Sequence, residues 1–172
     1  MIKKFMLRVP NNTLNKIYIK VKKYPWDNIQ NMDGWEYGTN YNYLRKISKY
    51  WVTKFKWRKQ ENKINKFSNF ITQVDGINIH FIKEKGSGKN SIPLLLLHGW
   101  PGSVIEFFNI IEKLTHPERF GGKKEDSFDV IIPSLPGFGF SDSFKKPMGP
   151  RKIAKILNKF MINNLSYKKY LS

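Results

Sequence analysis

The spacing of apolar residues changes near residue 68, and this change divides the chain into two patterns. In the first part apolar residues recur three or four positions apart, which is the spacing of an amphipathic helix. Leu14, Ile17 and Val21 fall on one such face. The pattern predicts a first helix, with Asn11 or Asn12 as its capping residue.

Two further helices are predicted before the change in spacing. A turn over Asp33–Gly38 precedes Asn40, which is placed to cap the second helix. The apolar positions of that helix are Tyr43, Leu44, Ile47, Tyr50, Trp51 and Phe55. A third helix is predicted from Trp57 to Phe67. Residues 1–67 therefore form a helical, aromatic-rich lobe that is too small to bury itself alone.

Strand patterns begin after the helical lobe. Phe70–Val74 and Ile77–Ile82 alternate between apolar and polar positions, as half-buried strands do. Asp75 and Gly76 join them, and this dipeptide is a strong signal for a two-residue hairpin turn. The sequence therefore predicts an antiparallel pair here.

Two apolar runs each lead into a loop rich in glycine and proline. Leu94–Leu97 precedes His98–Ser103, and Val130–Ile132 precedes Pro133–Asp142. A helical pattern from Val104 to Leu114 lies between them. This order predicts two buried parallel strands joined by a helix, whose loops meet where open α/β sheets place their sites.

A last helix and the start of another strand complete the pattern. The apolar face of the helix consists of Ile153, Ile156, Leu157, Phe160 and Met161. Lys168–Ser172 is typical of the beginning of a strand. The predicted fold class is α/β, with an N-terminal helical lobe followed by the first strands and helices of an incomplete sheet.

The composition limits which cellular compartment and which partners are expected for this protein. The 172 residues suffice for one domain, or for a small domain and part of a second. Cysteine is absent, which excludes disulfides and thiolate metal sites and favours a reducing compartment such as the cytoplasm. No apolar run approaches the ~20 residues that a membrane span needs, so no membrane span is expected.

The net charge of +18 raises the hypothesis of nucleic-acid binding through counterion release. The pattern of charge argues against it, because nearly all the cations are lysines and they are scattered rather than clustered. Lysine, asparagine and isoleucine are in excess together, as a coding sequence rich in A and T would produce. We interpret the lysines as solvated surface and expect no nucleic-acid partner; nucleic-acid binding is the third hypothesis.

Several familiar functional motifs are incomplete or absent in this sequence. Gly86–Lys89 lacks the first glycine and the final Ser or Thr of a phosphate-binding loop and leads into a strand, so we interpret it as a hairpin loop. No Gly-x-Ser-x-Gly nucleophile elbow occurs. The three histidines have no spacing suited to a metal, and His80 and His116 are predicted to be structural.

The His98–Ser103 loop has the features of a site. Gly99 and Gly102 allow the backbone to approach a ligand, and Pro101 fixes the turn. Trp100 can then present its backbone N–H to a developing oxyanion. An ordinary tight turn with a buried tryptophan is the alternative, and the second loop at residues 133–142 favours the site.

These residues resemble the microsomal-type epoxide hydrolases of the α/β-hydrolase fold. The two loops, His98–Ser103 and Pro133–Ser141, carry the resemblance. The N-terminal domain of that family is resembled by three segments: Trp35–Thr39, Trp51–Trp57 and Phe55–Glu61. This domain distinguishes the family from haloalkane dehalogenases, which share the loop. The expected boundaries are a lobe over 1–67, with the family domain extending to about 112, and the start of the α/β-hydrolase core over 68–172.

The resemblance implies a mechanism without a metal or organic cofactor. An Asp carboxylate opens a small-molecule epoxide to form an alkyl ester while two lid tyrosines bind the oxygen, and a His paired with an acid activates water. Of these parts only the Trp100 backbone donor is found here, with His98, Gly99, Pro101 and Gly102 as loop support. The Trp100–Pro101 bond is predicted to be cis.

The resemblance also implies what is missing. In the family, the strand matching Lys168–Ser172 leads into the Gly-Gly-Asp-Trp-Gly elbow that carries the nucleophile. We therefore predict that this chain is the N-terminal portion of an epoxide hydrolase with a role in detoxification, inactive alone. The alternative is a non-catalytic binding lobe that complements another polypeptide.

Overall fold

The computed structural model of this chain describes residues 1–28, 34–144 and 146–172. Two compact units are present. One comprises Leu7–Asn62, and the other comprises Met1–Met6 together with Lys63–Ser172. The helices within the described ranges all lack the length and apolar character that crossing a bilayer requires.

The smaller unit is helical. Its helices are α1 (Asn11–Lys22), α2 (Tyr41–Thr53) and most of α3 (Trp57–Ile64), with a short 3₁₀ turn at Trp26–Asn28. The three predicted helices are therefore confirmed. Of the predicted turn over 33–38, Asp33 lies outside the described residues, and bends and turns follow from Gly34.

One of the two predicted helix caps is correct. Asn40 accepts a hydrogen bond from the Tyr43 N–H at 3.0 Å and caps α2. The cap predicted for α1 is wrong, because Pro10 precedes that helix and no side chain caps it. The Asn12 carboxamide instead accepts from the neighbouring Thr13 N–H at 2.7 Å. Asn40 occupies the N-cap position of its helix, whereas Asn11 and Asn12 lie inside α1, so only Asn40 can act as a cap.

Helices α2 and α3 both end earlier than the apolar pattern predicts. Phe55 lies beyond the end of α2 at Thr53. Helix α3 ends at Ile64 rather than Phe67, and Asn69 explains why. The Asn69 amide donates to the carbonyls of Ile64 at 2.8 Å and of Phe67 at 2.7 Å, so it satisfies oxygens that a longer helix would have bonded internally.

A buried carboxylate organises the helical unit. Glu61 on α3 is 1% exposed and accepts hydrogen bonds from the Val9 N–H at 2.7 Å, the Trp57 indole at 3.2 Å and Arg58 at 2.6 Å. Burial opposes ionisation of this carboxyl, but the hydrogen bonds from Val9, Arg58 and Trp57 and the Arg58 charge outweigh it and lower its pKa. The paired charge ties the segment before α1 to α3.

The larger unit contains a five-stranded sheet in the order β1-β2-β3-β5-β4. The strands are β1 (Lys3–Lys4), β2 (Asn69–Val74), β3 (Ile77–Glu84), β4 (Ile92–Leu95) and β5 (Phe128–Pro133). The hairpin predicted between β2 and β3 is confirmed. Asp75 and Gly76 have positive φ values of 49° and 80°, as a type I′ turn demands.

The parallel unit is confirmed, with β4 beside β5 in register from Ile92–Phe128 to Leu95–Ile131. Its connection begins as a 3₁₀ turn at Val104–Phe107 and continues as α4 (Phe108–Thr115). The predicted hairpin loop at residues 86–89 is wrong. Strands β3 and β4 are not neighbours, because β5 lies between them, so this loop crosses over β5.

Strand β5, the fourth of the five strands in the sheet, has both faces buried. Val130 and Ile132 of β5 pack with α4 on one face, whereas Ile131 packs on the other with α5 (Pro150–Lys159) and the π-helical turn at residues 160–164. This arrangement explains the continuous apolar run of β5. Strand β4 ends at Leu95 instead of Leu97, and Leu97 is exposed, so the prediction of a strand buried throughout residues 94–97 is wrong.

The predicted start of a further strand is present as a parallel bridge between Leu171 and Leu94. The Leu95 N–H donates to the Leu171 carbonyl at 2.8 Å, and the Leu171 N–H donates to the Pro93 carbonyl at 2.9 Å. The outer edge of β4 is therefore paired at this point.

Replacing Glu61 with Gln tests the buried carboxylate. The native pKa lies below that of the unfolded chain, so ionised Glu61 stabilises the fold above about pH 4.3, and this stabilisation disappears as the pH falls through the native pKa. At neutral pH Glu61→Gln should lower the free energy of unfolding by about 1.5–3 kcal/mol. It should also flatten the loss of stability on acidification, followed at the Trp57 indole N–H resonance.

Glu112→Gln is the matched control. Its carboxylate pairs with Arg119 at 2.7 Å, but both side chains are more than half exposed. This change should cost less than about 1 kcal/mol and leave the acid dependence intact. Equal effects of the two substitutions would show that the Glu61 cluster has no special role.

Candidate functional site

Two loops meet at one edge of the sheet. The first loop, residues 98–103, follows β4, and the second loop, residues 134–142, follows β5. Strands β4 and β5 are parallel, so both loops leave from their carboxyl ends. This is the edge at which open α/β sheets bind ligands.

The first loop presents a free backbone donor. Trp100 is 85% exposed, which excludes the alternative of a tight turn around a buried tryptophan. Its peptide bond to Pro101 is cis, as predicted. The Gly102 N–H donates to the Gly99 carbonyl at 2.8 Å and closes the turn. Within the described ranges of the chain, the Trp100 N–H donates to no acceptor.

A capping box stabilises the C-terminal end of the first loop, where the chain enters the 3₁₀ turn. The Glu106 carboxylate accepts from the Ser103 N–H at 3.0 Å, and the Ser103 hydroxyl accepts from the Ile105 N–H at 3.4 Å. Gly102 lies so close that a Cβ on it would overlap the Glu106 carboxylate. Glycine is thus required at 102 for this internal contact, and not only for ligand approach.

His98 joins the two loops. Its Nε2 accepts a hydrogen bond from the Leu135 N–H at 3.1 Å, and its Nδ1 lies 3.1 Å from the Gly99 carbonyl oxygen. The ring is 3% exposed and packs edge to face against Phe138 of the second loop, with centroids 5.4 Å apart. The role of His98 as a supporting residue of the loop stays a prediction, and these are the contacts through which it would act.

The second loop is tied to β3 by its last residues. The Asn78 N–H donates to the Asp142 carboxylate at 3.0 Å, and the Asp142 N–H donates to the Asn78 carbonyl at 2.9 Å. The His80 N–H donates to the Ser141 hydroxyl at 3.0 Å, and that hydroxyl donates to the Ser134 carbonyl at 2.7 Å. The loop therefore leaves and rejoins the sheet at defined positions.

A buried histidine lies beneath the second loop. The His80 side chain is fully buried, with Nδ1 2.9 Å from the Ser134 hydroxyl and Nε2 3.0 Å from the Asn69 Oδ1. Burial disfavours the imidazolium and lowers the pKa of His80 to about 4. The rings of Phe5 and Phe140 pack against it. His80 is thus a neutral structural residue, as predicted.

The carboxylates nearest in sequence to the two loops are engaged in structural hydrogen bonds. Asp142 and Glu106 accept from backbone N–H groups, as described above. Asp129 accepts from the Gly86 N–H at 2.9 Å and from the Tyr167 hydroxyl at 3.1 Å, and burial together with the Asp129 charge raises the pKa of Tyr167. The described residues contain no cluster of three or more His, Cys, Asp or Glu that could hold a metal ion.

The first loop was predicted from the sequence, but two groups that hydrogen-bond to it were not: the Glu106 carboxylate and the Leu135 N–H. The first loop contains all the predicted site residues, as their adjacency in sequence requires: His98, Gly99, Trp100, Pro101 and Gly102. Glu106 was detectable from the Ser-x-x-Glu signature of a capping box. The Leu135 N–H had no local signal, because its partner lies 37 residues away.

The sheet and its two loops define an α/β hydrolase, and residues 92–170 match the family described as alpha/beta hydrolase fold. Residues 2–107 match the family described as Epoxide hydrolase N terminus. The chain therefore belongs to the epoxide hydrolases, as the sequence resemblance indicated.

Named relatives agree with this assignment. The chain is 39% identical to epoxide hydrolase 1 of Sus scrofa over 94% of its length, and 35% identical to juvenile hormone epoxide hydrolase 1 of Ctenocephalides felis over 98%. The crystal structure of juvenile hormone epoxide hydrolase from the silkworm Bombyx mori superposes with a TM-score of 0.85 at 32% identity over 99% of the chain. An Aspergillus niger epoxide hydrolase superposes with a TM-score of 0.79 at 26% identity.

These relatives are much longer than this chain. It spans 37% of the pig protein, 36% of the flea protein and 40% of the silkworm structure.

Replacing Gly102 with Ala should disturb the capping box, because the added methyl displaces the Glu106 carboxylate. We expect a loss of about 1 kcal/mol in the free energy of unfolding, the usual value of a helix cap. Gly99→Ala is the matched control, since a Cβ there meets nothing within 4 Å. Its effect should stay within about 0.5 kcal/mol, and urea unfolding that ranks the two variants in the opposite order would contradict this geometry.

His80 should make stability depend on pH. Because its pKa is about 4 in the fold and about 6.5 unfolded, the unfolded chain binds the proton first on acidification. The free energy of unfolding should fall by about 1.4 kcal/mol per pH unit between about pH 6 and pH 4.5.

His80→Gln should remove this slope, whereas His116→Gln should keep it, because the His116 ring is only partly buried and hydrogen-bonds to the neighbouring Thr115 hydroxyl at 2.9 Å. Urea unfolding at a series of pH values measures both variants. A slope that survives in His80→Gln would assign it to another group.

Proposed function

We propose that this chain supplies the oxyanion-binding loop of an enzyme that hydrolyses epoxides to vicinal diols. In the reaction that family membership supports, an aspartate opens the epoxide and forms an alkyl ester, which water then hydrolyses. The tetrahedral intermediate of that hydrolysis carries a negative oxygen. The Trp100 N–H is the donor that stabilises it.

The observation that carries this proposal is the Trp100 N–H in the loop after β4, which donates to no acceptor within the part of the chain that the structure describes. A preorganised backbone donor of this kind accounts for about 10²–10³ in kcat in acyl transfer. The loop is held from both sides, by His98 bonded to Leu135 and by Glu106 bonded to Ser103. Such fixed geometry is what an oxyanion hole requires.

The remaining catalytic groups belong to a complementing polypeptide or to further residues of the whole protein. Asp129, Asp142 and Glu106 are bonded to groups of the chain itself, so we assign none of them as the nucleophile. In this proposal the nucleophilic aspartate, two lid tyrosines, an acid and a general-base histidine complete the site. Residues 1–67 act as the helical lobe and residues 68–172 as the first part of the core.

The proposed substrate is a small-molecule epoxide, and the proposed setting is detoxification in the cytoplasm. The absence of cysteine supports the choice of a reducing compartment. The reaction as proposed needs no cofactor.

A fusion protein tests the Trp100 assignment. Residues 1–172 are placed ahead of the part of the silkworm enzyme that this chain does not cover, and diol formation from styrene oxide is measured. Residues 1–172 alone should form no diol, whereas the fusion should. Trp100→Pro removes the N–H and should lower kcat by about 100-fold or more.

Trp100→Ala is the matched variant, because it removes the indole but keeps the N–H. It should lose less than about tenfold, since the proposed role needs only the backbone donor. Equal losses in the two variants would exclude the N–H as the oxyanion donor. An inactive fusion that is nonetheless folded would favour the non-catalytic binding lobe instead.

A further inference from the structure

We infer that His98 is a positioning residue that orients the Trp100 N–H by binding the other side of the same peptide group. It acts as the neutral tautomer with the proton on Nδ1. The catalytic consequence rests on the function proposed above, whereas the tautomer and the orientation do not.

The hydrogen bonds assign the tautomer. The Leu135 N–H can only donate, and it points at His98 Nε2 at 3.1 Å, so Nε2 must carry a lone pair. A neutral ring then has its proton on Nδ1, which lies 3.1 Å from the Gly99 carbonyl oxygen. A proton on Nε2 would face the Leu135 proton directly.

The Gly99 carbonyl and the Trp100 N–H belong to one planar peptide unit. In a trans peptide these two groups point in opposite directions, so fixing one orients the other. The Gly99 oxygen accepts from the Gly102 N–H at 2.8 Å and from the His98 Nδ1–H. With two donors on this oxygen, the peptide cannot rotate without breaking both bonds, and the Trp100 N–H keeps one direction.

The second loop provides the fixed point against which His98 is held. Leu135 follows Ser134, whose N–H donates to the His80 carbonyl at 2.8 Å and whose hydroxyl lies 2.9 Å from His80 Nδ1. The Asn69 amide donates to the carbonyls of Ile64 and Phe67, so its oxygen faces His80 and accepts from Nε2–H. His80 is therefore the opposite tautomer, with its proton on Nε2.

His98 is not available as a catalytic base. Both ring nitrogens are engaged, one with Leu135 and the other with Gly99, and the ring is 3% exposed. A general base must reach the proton that it abstracts. The contribution of His98 is thus made through the backbone of its neighbours.

Nuclear magnetic resonance of the 172-residue chain tests the tautomer without any turnover. With isotope-labelled histidine and leucine, a scalar coupling between His98 Nε2 and the Leu135 nitrogen should be visible across their hydrogen bond. The ring nitrogen shifts should show a proton on Nδ1 of His98 and on Nε2 of His80. Absence of the coupling, or a proton on Nε2 of His98, would overturn the inference.

Substitution tests the orientation. His98→Phe keeps a ring against Phe138 but removes both hydrogen bonds, so the Trp100 amide resonance should move. His98→Asn restores a donor for the Gly99 carbonyl and should recover part of that change. His116→Phe is the matched control, because the His116 ring hydrogen-bonds to Thr115 at the end of α4, outside both loops, and the change should leave the Trp100 resonance in place.

The same variants in the fusion protein test the catalytic consequence. His98→Phe should lower kcat for styrene oxide by about 10- to 100-fold with little change in KM, since a misplaced group costs rate rather than binding. His98→Asn should lie between it and the unchanged protein.

The outcomes separate the two proposals. A Trp100 resonance that moves no further in His98→Phe than in His116→Phe overturns the orienting role, whatever the activity. A moved resonance with unchanged kcat overturns the catalytic consequence. Loss of the Trp100 oxyanion role, with the coupling and the resonance shifts observed, overturns the proposed function and leaves the orienting role confirmed.

Discussion

The hydrogen bond from the Leu135 N–H to His98 Nε2 is the contact on which the site depends. It joins the loops that follow two parallel strands, and the packing of the same ring on Phe138 accompanies it. Because an imidazole nitrogen accepts only when unprotonated, this bond selects the tautomer as well as the geometry. The orientation of the Gly99 carbonyl, and with it the Trp100 N–H, follows from that selection.

The sheet makes this contact possible. Parallel pairing of β4 with β5 brings both loops to the same edge, and helices pack on the two faces of β5. A slip of one residue would move every side chain of β5 to the opposite face of the sheet, where its packing partners are different. The register therefore places residue 98 and residue 135 within hydrogen-bonding distance reproducibly.

Each of the two units contains a buried polar side chain held by hydrogen bonds, Glu61 in one and His80 in the other. Glu61 is ionised and surrounded by donors, whereas His80 is neutral between Ser134 and Asn69. The two differ because Glu61 has a guanidinium beside it, whereas the hydrogen-bond partners of the His80 ring, Ser134 and Asn69, are neutral. Buried charge is retained where an opposite charge compensates for lost hydration, and is otherwise removed by a change of protonation.

The sequence by itself determined the local features, because periodicity and turn chemistry are written in neighbouring residues. The β2–β3 hairpin, the Asn40 cap, the β4–helix–β5 unit and the first loop were all predictable in this way. Only the tertiary structure decided that β5 lies between β3 and β4, so the loop at residues 86–89 was wrongly predicted as a hairpin. It also decided that α3 ends at Ile64, whose carbonyl accepts from the Asn69 amide, and that His98 meets Leu135. These contacts join residues whose proximity is created by folding, and no local pattern encodes them.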